Sequence, residues 1–456
     1  MRRWAAALVA ALCVAGIGLA PGVRAIEPPV VPPGPPPSGG GGAPDPTEPK
    51  ALCGTGAVFP GSDFRLQPSA DAMLNFSAAW KFSRGAGQKV AVIDTGVSPN
   101  PRVRVLEGGG DFVSSSDGLV DCDAHGTVVA GLIAAAPSPD DAFAGVAPDA
   151  AILSIRQNSS VYSVKGSSAQ NDPNAVSVGY GSTQTLARSI VRAVDMGATV
   201  INLSEVACAP VGAGMDDAEL GQAVRFAFER NVVVVAAAGN FNKQGLCNTQ
   251  NETRDPNLPL ADAWKSVRTI ASPAWFQDYV LTVGALTPEA EPADFSLRGP
   301  WVDIAAPGEK ITSLSPSGPG LINAFYGDNS LMPINGTSFA TPFVSGVVAL
   351  VRSRFPWMSA GEVMERVKRT ARTPEAGPNL ATGYGMVDPV AALSTQLPPA
   401  GALPDPEAGH ALAGPPHPDP ASVLGRNIVL AVLGLCAAAA VIALAVVKRP
   451  RPSDRR

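Results

Sequence analysis

The chain has 456 residues, with 34 Lys and Arg against 39 Asp and Glu, a formal net charge of -5. So small an imbalance leaves no electrostatic footprint for nucleic acid, and no nucleic-acid partner is expected. The composition between the two ends is that of a globular region long enough for one sizeable core.

In chain order, residues 1–25 read as a secretory signal: Arg2 and Arg3 precede an apolar run, and Val23-Arg24-Ala25 offers a small-residue exit site. Residues 26–63 form a Pro/Gly-rich arm, including Pro32-Pro33-Gly34-Pro35-Pro36-Pro37, expected to be extended and mostly disordered. Residues 64–396 are the expected folded domain. Strand-like runs at Lys89 to Asp94, Ala151 to Ile155, Thr199 to Leu203, Val232 to Ala237 and Tyr279 to Val283 alternate with helical spacing at Thr127 to Ala136, Thr185 to Met196 and Asp217 to Arg230. This alternation predicts an α/β fold, a parallel sheet flanked by helices. Residues 397–425 are a second proline-rich stretch, read as a linker. Residues 427–447 are apolar and uncharged, the length of a single membrane-spanning helix, and five Lys or Arg follow in 448–456. That charge bias predicts a cytoplasmic tail and an extracytoplasmic domain at the cytoplasmic membrane.

Three distant segments carry the chemistry. Val92-Ile93-Asp94-Thr95-Gly96 puts an acid at a strand end, where α/β folds collect their ligands. His125-Gly126-Thr127 opens a helix of small residues. Of three histidines, His410 and His417 lie in the proline-rich stretch, so His125 is the one imidazole within the folded domain. Gly336-Thr337-Ser338-Phe339-Ala340-Thr341-Pro342 puts a hydroxyl before a helical run from Phe339 to Phe355, with Pro342 expected in an early helix turn. Serine needs an adjacent base to become a nucleophile. His125 would take its proton, and Asp94 would hold the imidazole tautomer. The string Ala236-Ala237-Ala238-Gly239-Asn240 offers small residues for a pocket wall and an amide for an oxyanion, with the Ser338 N–H as second donor.

These motifs resemble those of the subtilisin-like serine proteases over residues 64–395. The resemblance implies a triad of Asp94, His125 and Ser338, the oxyanion residue Asn240, and substrate-binding positions at Ser204 and Gly239. The overall plan is similar to that of the mycosins, the membrane-anchored subtilases of type VII secretion. It implies peptide-bond hydrolysis of a secreted protein or peptide beside membrane secretion components, with no cofactor. A scaffolding role independent of catalysis is the alternative. Glu205-Val206 departs from the pattern: many relatives have a Gly at the second position, so Val206 narrows the entrance and Glu205 adds charge nearby.

Four cysteines remain outside the apolar ends, and four allow three pairings. On the expected topology Cys208 and Cys247 each follow one of two adjacent strands, while Cys53 ends the arm and Cys122 lies three residues before His125. Bridges Cys53–Cys122 and Cys208–Cys247 are therefore expected. Asp121 and Asp123, and the pair Asp216-Asp217, read as solvated acidic turns, with no metal site. Gln157 to Gln184 reads as a long exposed loop.

Overall fold

A computed structural model describes residues 26–166, 172–252, 260–327, 330–398 and 420–447. The expected signal segment, the tail from 448 and most of the second proline-rich stretch lie outside the described residues. The chain divides into two units, Arg24–Pro399 and the remainder.

The first unit is built on seven strands: β1 (Lys89–Asp94), β2 (Leu106–Asp111), β3 (Ala151–Arg156), β4 (Val200–Leu203), β5 (Val233–Ala237), β6 (Val280–Leu286) and β7 (Ile304–Pro307). They pair in the order β7-β6-β5-β4-β1-β3-β2, and every pairing is parallel. A parallel sheet covered on both faces needs apolar side chains on both, which explains near-continuous runs such as Val90-Ala91-Val92-Ile93. Val90 and Val92 enter one core cluster, while Ala91 and Ile93 enter a second on the other face.

Four of the helices lie against those faces. α1 (His125–Ala134) and α4 (Thr337–Arg354) contribute Val128, Leu132, Phe343 and Val347 to the first cluster. α2 (Thr183–Asp195) and α3 (Ala218–Glu229) contribute Leu186, Ile190, Leu220 and Val224 to the second. Helix α4 is buried without a break from Thr337 to Val351, so its sequence is apolar or small on every side rather than on one stripe. Strand order reverses between β1 and β4, the kind of position at which α/β folds collect ligands at the carboxyl ends of their strands.

Three expectations need correcting. The arm is extended, but it is laid on the domain. Val31 is buried in the second cluster, and Arg225 donates to the Gly34 carbonyl at 2.9 Å. Farther along, Thr47–Pro49 pairs antiparallel with Tyr162–Val164. Polyproline geometry leaves backbone carbonyls unpaired, and Arg225, Gln222 and Arg188 supply donors to them. The expected loop after β3 is not exposed at its start either: Gln157, Asn158 and Ser159 are buried, and Ser159 bridges to Tyr180. Nor are Asp121, Asp123 and Asp217 solvated turns, as the site makes plain below, whereas Asp216 is exposed.

Both bridges are present, Cys53–Cys122 and Cys208–Cys247. In the second unit, the apolar stretch lies in one helix, Pro420–Val447, of 28 residues. Among the described residues no helix is long and apolar enough to cross a membrane.

Candidate active site

Asp94 ends β1 and is fully buried. Its Oδ1 lies 2.8 Å from His125 Nδ1 and accepts from the Thr95 N–H at 2.7 Å. His125 is the first residue of α1, and the preceding Ala124 takes the left-handed conformation at φ 66°. For a residue with a Cβ this costs about 1 kcal/mol, and it turns the chain so that the ring faces Asp94. Gly126 lets that turn approach β1: a Cβ there would lie 2.1 Å from the Gly96 carbonyl oxygen.

Behind this pair lies a carboxylate that the sequence reading placed in solvent. Asp121 is buried and accepts from the Thr127 N–H at 2.8 Å, from Thr127 Oγ1 at 2.6 Å and from Thr95 Oγ1 at 2.8 Å. It thus caps the start of α1, which has no side-chain bond from its own N-cap residue. Burial pushes its carboxyl up to about 6; the Thr127 and Thr95 bonds oppose that rise and the nearby Asp94 adds to it. Asp123 is likewise engaged, by Ser159 Oγ at 2.6 Å and the Ser160 N–H at 2.6 Å. Asp217 accepts from Ser272 and Trp275. The spacing of Asp121 four residues before His125 was the available signal, for a carboxylate there can reach back over the first helical turn.

Ser338 is the second residue of α4, inside the helix rather than before it, so its N–H has no intrahelical acceptor. Its hydroxyl makes no hydrogen bond among the described residues, although the side chain is largely buried. Phe339 packs its ring 4.9 Å from that of His125. Asn240, just beyond β5, has a defined orientation: its Oδ1 accepts from the Thr337 N–H at 2.8 Å and from Thr337 Oγ1 at 3.0 Å, which turns Nδ2 the other way. A methyl group on Gly336 would lie 2.8 Å from Ser338 Oγ and 3.6 Å from Asn240 Nδ2. Hydroxyl and amide therefore border the same open space.

Pro342 is not in the first turn. Four residues beyond Ser338, it removes the N–H that would bond the Ser338 carbonyl. Ser204 supplies the missing donor, its Oγ lying 2.8 Å from that carbonyl oxygen. Ser204 is held in turn by Asn202 Nδ2 at 2.9 Å, and Asn202 by Ser345 Oγ at 2.8 Å. The Ser204 side chain thus supports the serine from below. Gly239 faces away from the open space: with φ at +101°, a Cβ there would sit 3.3 Å from both sulfurs of Cys208–Cys247.

Glu205 follows Ser204, and its Oε1 lies 3.9 Å from His125 Nε2. Burial is the larger influence and pushes its carboxyl up to about 7; the facing imidazole pulls it back, while Asp94 and Asp123 add to the rise. For His125, burial works against the charged ring. The carboxylates of Asp94, Glu205 and Asp121 outweigh it and hold the imidazole above its ordinary range.

Comparison with known proteins now bears on this arrangement. The chain matches the subtilase family, peptidase S8, over residues 85–385. It is 44% identical over 383 residues to Mycosin-1 of Mycolicibacterium smegmatis, covering 83% of this chain and 84% of that protein. The chain belongs to the mycosins, a branch of the subtilase family.

Two solved structures share the fold. MycP1 from the ESX-1 type VII secretion system superposes with a TM-score of 0.77 at 44% identity, covering 82% of this chain and 98% of that one. A chain in the structure of an intact ESX-5 inner membrane complex does so with a TM-score of 0.77 at 43% identity, covering 92% of this chain and all of that one. Like other mycosins, the protein is a serine-type endopeptidase of subtilisin-like α/β architecture.

Proposed function

We propose that the protein hydrolyses peptide bonds through Asp94, His125 and Ser338, at the outer face of a membrane that carries a type VII secretion system. The observation that carries the reading is the short Asp94–His125 contact, with Phe339, next to Ser338, packed on the His125 ring, a Ser338 hydroxyl that makes no hydrogen bond among the described residues, and Asn240 Nδ2 turned to the same space as that hydroxyl.

The chemistry follows from those positions. Asp94 holds the Nδ1 proton, so Nε2 is the basic nitrogen. Nε2 takes the Ser338 proton as Oγ attacks the substrate carbonyl, then gives it to the leaving amine. The carbonyl oxygen becomes an oxyanion, and Asn240 Nδ2 and the Ser338 N–H are the donors placed for it. The amino end of α4 adds a favourable dipole there. A water then attacks the acyl-enzyme by the same proton path in reverse.

Location rests on different features. Two disulfides suit an oxidising compartment. Helix Pro420–Val447 exposes apolar side chains such as Leu430, Leu433, Leu435, Val441 and Ile442, which lipid would cover. With the basic residues beyond it, this supports one span at 427–447 and a cytoplasmic tail at 448–456. The domain limits of 26–63 for the arm, 64–396 for the catalytic domain and 397–425 for the linker belong to the same proposal. The substrate is a protein or peptide passing that face.

The test is labelling by a serine-directed fluorophosphonate. Labelling of the wild type that is lost in both Ser338→Ala and His125→Ala is the expected result. Labelling that persists in Ser338→Ala would refute the assignment of the nucleophile.

A second reading has its own support. The relative in the ESX-5 inner membrane complex is matched along its whole length. A docking role in such an assembly, separate from hydrolysis, fits that likeness. Secretion that survives Ser338→Ala but fails on deletion of the chain would favour it.

A further inference from the structure

We infer that Glu205 is a positioning residue acting through His125: facing Nε2, its carboxylate holds a proton on that nitrogen, which then cannot accept the Ser338 proton, and thereby sets the acid limb of activity. The inference rests on the triad reading above and deepens it.

The geometry comes first. His125 has a carboxylate on each side. Asp94 Oδ1 holds Nδ1 at 2.8 Å, and Glu205 Oε1 stands 3.9 Å from Nε2. No hydrogen bond joins Nε2 to Ser338 Oγ among the described residues, so the nitrogen that must serve the nucleophile has an acid as its near polar neighbour. Glu205 is not free to drift away. The residue before it is tied through its hydroxyl to the Ser338 carbonyl, so the acid and the nucleophile share one wall.

The charges point the same way. Those facing Glu205 are His125 at the start of α1, Asp94 at the end of β1 and Asp123 on the loop before α1. Asp121 lies behind the ring. Of these only the imidazole can carry positive charge. The Glu205 side chain is 30% exposed, and its one ion-pair partner among the described residues is His125. A carboxylate taken partly out of water, with no arginine or lysine beside it, gains most by keeping that ring protonated.

The proton accounting is simple. A protonated Nε2 cannot accept the Ser338 hydroxyl proton, so an ionised Glu205 favours the resting form. Nε2 becomes a base when its proton leaves to solvent. That happens at lower pH once the facing charge is neutralised, or drawn aside by a substrate seated in the cleft. The two groups titrate as a pair, so the acid limb belongs to both. An opposite charge within about 4–6 Å moves such a midpoint by about one pH unit or more.

The experiment uses the full chain in detergent. Fluorophosphonate labelling rates are taken from pH 5 to pH 10 for the wild type and Glu205→Gln. Separately, the C2 proton of His125 is titrated by NMR in Ser338→Ala and in Ser338→Ala/Glu205→Gln. His410 and His417, far along the chain, serve as internal references. The expected result is a fall of about one pH unit in both the labelling midpoint and the His125 titration, with the references unmoved. Labelling well below the wild-type midpoint then runs about tenfold faster in the variant. Superimposable His125 titrations overturn the proposal, whatever labelling shows. A His125 midpoint that falls in a chain that never labels supports the Glu205 effect and sinks the protease reading instead. Should Glu205→Gln fail to fold, Glu205→Asp keeps the charge one methylene farther off and should show a smaller shift in the same direction; no shift there overturns the proposal equally.

Discussion

Asp121 does its work without facing the open space of the cleft. It gathers one N–H and two hydroxyls around a single carboxylate, two of the three from Thr127 in the first turn of α1. Asp121→Ala leaves those donors unpaired in the interior, and each buried orphan costs about 1–3 kcal/mol. The expected outcome is a loss of about 2–4 kcal/mol in urea unfolding and a fall in peptide turnover of at least tenfold, because His125 begins the turn that loosens. The residue types of the site were legible in the sequence: one imidazole in the folded region, an acid closing a strand, a serine opening a helix. Only the spacing of Asp121 before the helix hinted at its cap on Thr127; a pattern of neighbours along the chain cannot show that Thr95, 26 residues earlier, folds back onto it. The Ser204 side-chain contact was hidden for a similar reason. Its partner is a carbonyl 134 residues away that Pro342 leaves bare.

At the level of elements, that carbonyl offers a test by paired substitutions. Ser204→Ala removes the donor and leaves the Ser338 carbonyl buried against Pro342, so stability should fall by about 1–3 kcal/mol. Pro342→Ala restores a backbone N–H within the helix. In the double variant α4 can close its own ladder, and the stability lost with Ser204 should largely return. Two losses that simply add in a double-mutant cycle would refute this account of the proline. Strands were the most readable elements: β1 runs from Lys89 to Asp94 as expected, because a strand buried on both faces declares itself by its apolar run. Helix α4 was harder to bound. Its first turn is held by Asn240 and by a carbonyl bond to Ser204, both long-range contacts, so its start two residues before Phe339 had no local sign.

For the whole molecule, pH should tell on stability as well as on chemistry. Asp71, in a short helix Ser69–Leu74, is 5% exposed, and burial pushes its carboxyl up to about 8 although an Ala144 backbone bond opposes this. Unfolded, the same group ionises near pH 4. Between those values the folded chain binds the extra proton, so stability declines as pH rises from about 4 to about 8. Asp71→Asn should flatten that decline and raise the unfolding midpoint at pH 8; an unchanged pH profile would count against the burial argument. The arm marks the limit of reading composition alone. Proline and glycine signalled an extended and mostly disordered chain, yet a surface already folded can supply the donors and the apolar seat that such a chain lacks. Arg225 and the pocket around Val31 do so here.

One further property follows from where Gly239 sits. The bond between Cys208 and Cys247 lies close to the residue beside Asn240, both sulfurs 3.3 Å from where a Cβ on Gly239 would stand. Before oxidation, two separate thiols must fit in that space and nothing ties their loops together. A newly made chain still among cytosolic reductants would then hold Asn240 loosely and cut poorly. Reducing the purified protein should slow fluorophosphonate labelling before it unfolds the domain, and Cys208→Ser should start out slow. On the proposed topology, such an enzyme would gain full activity only after crossing the membrane.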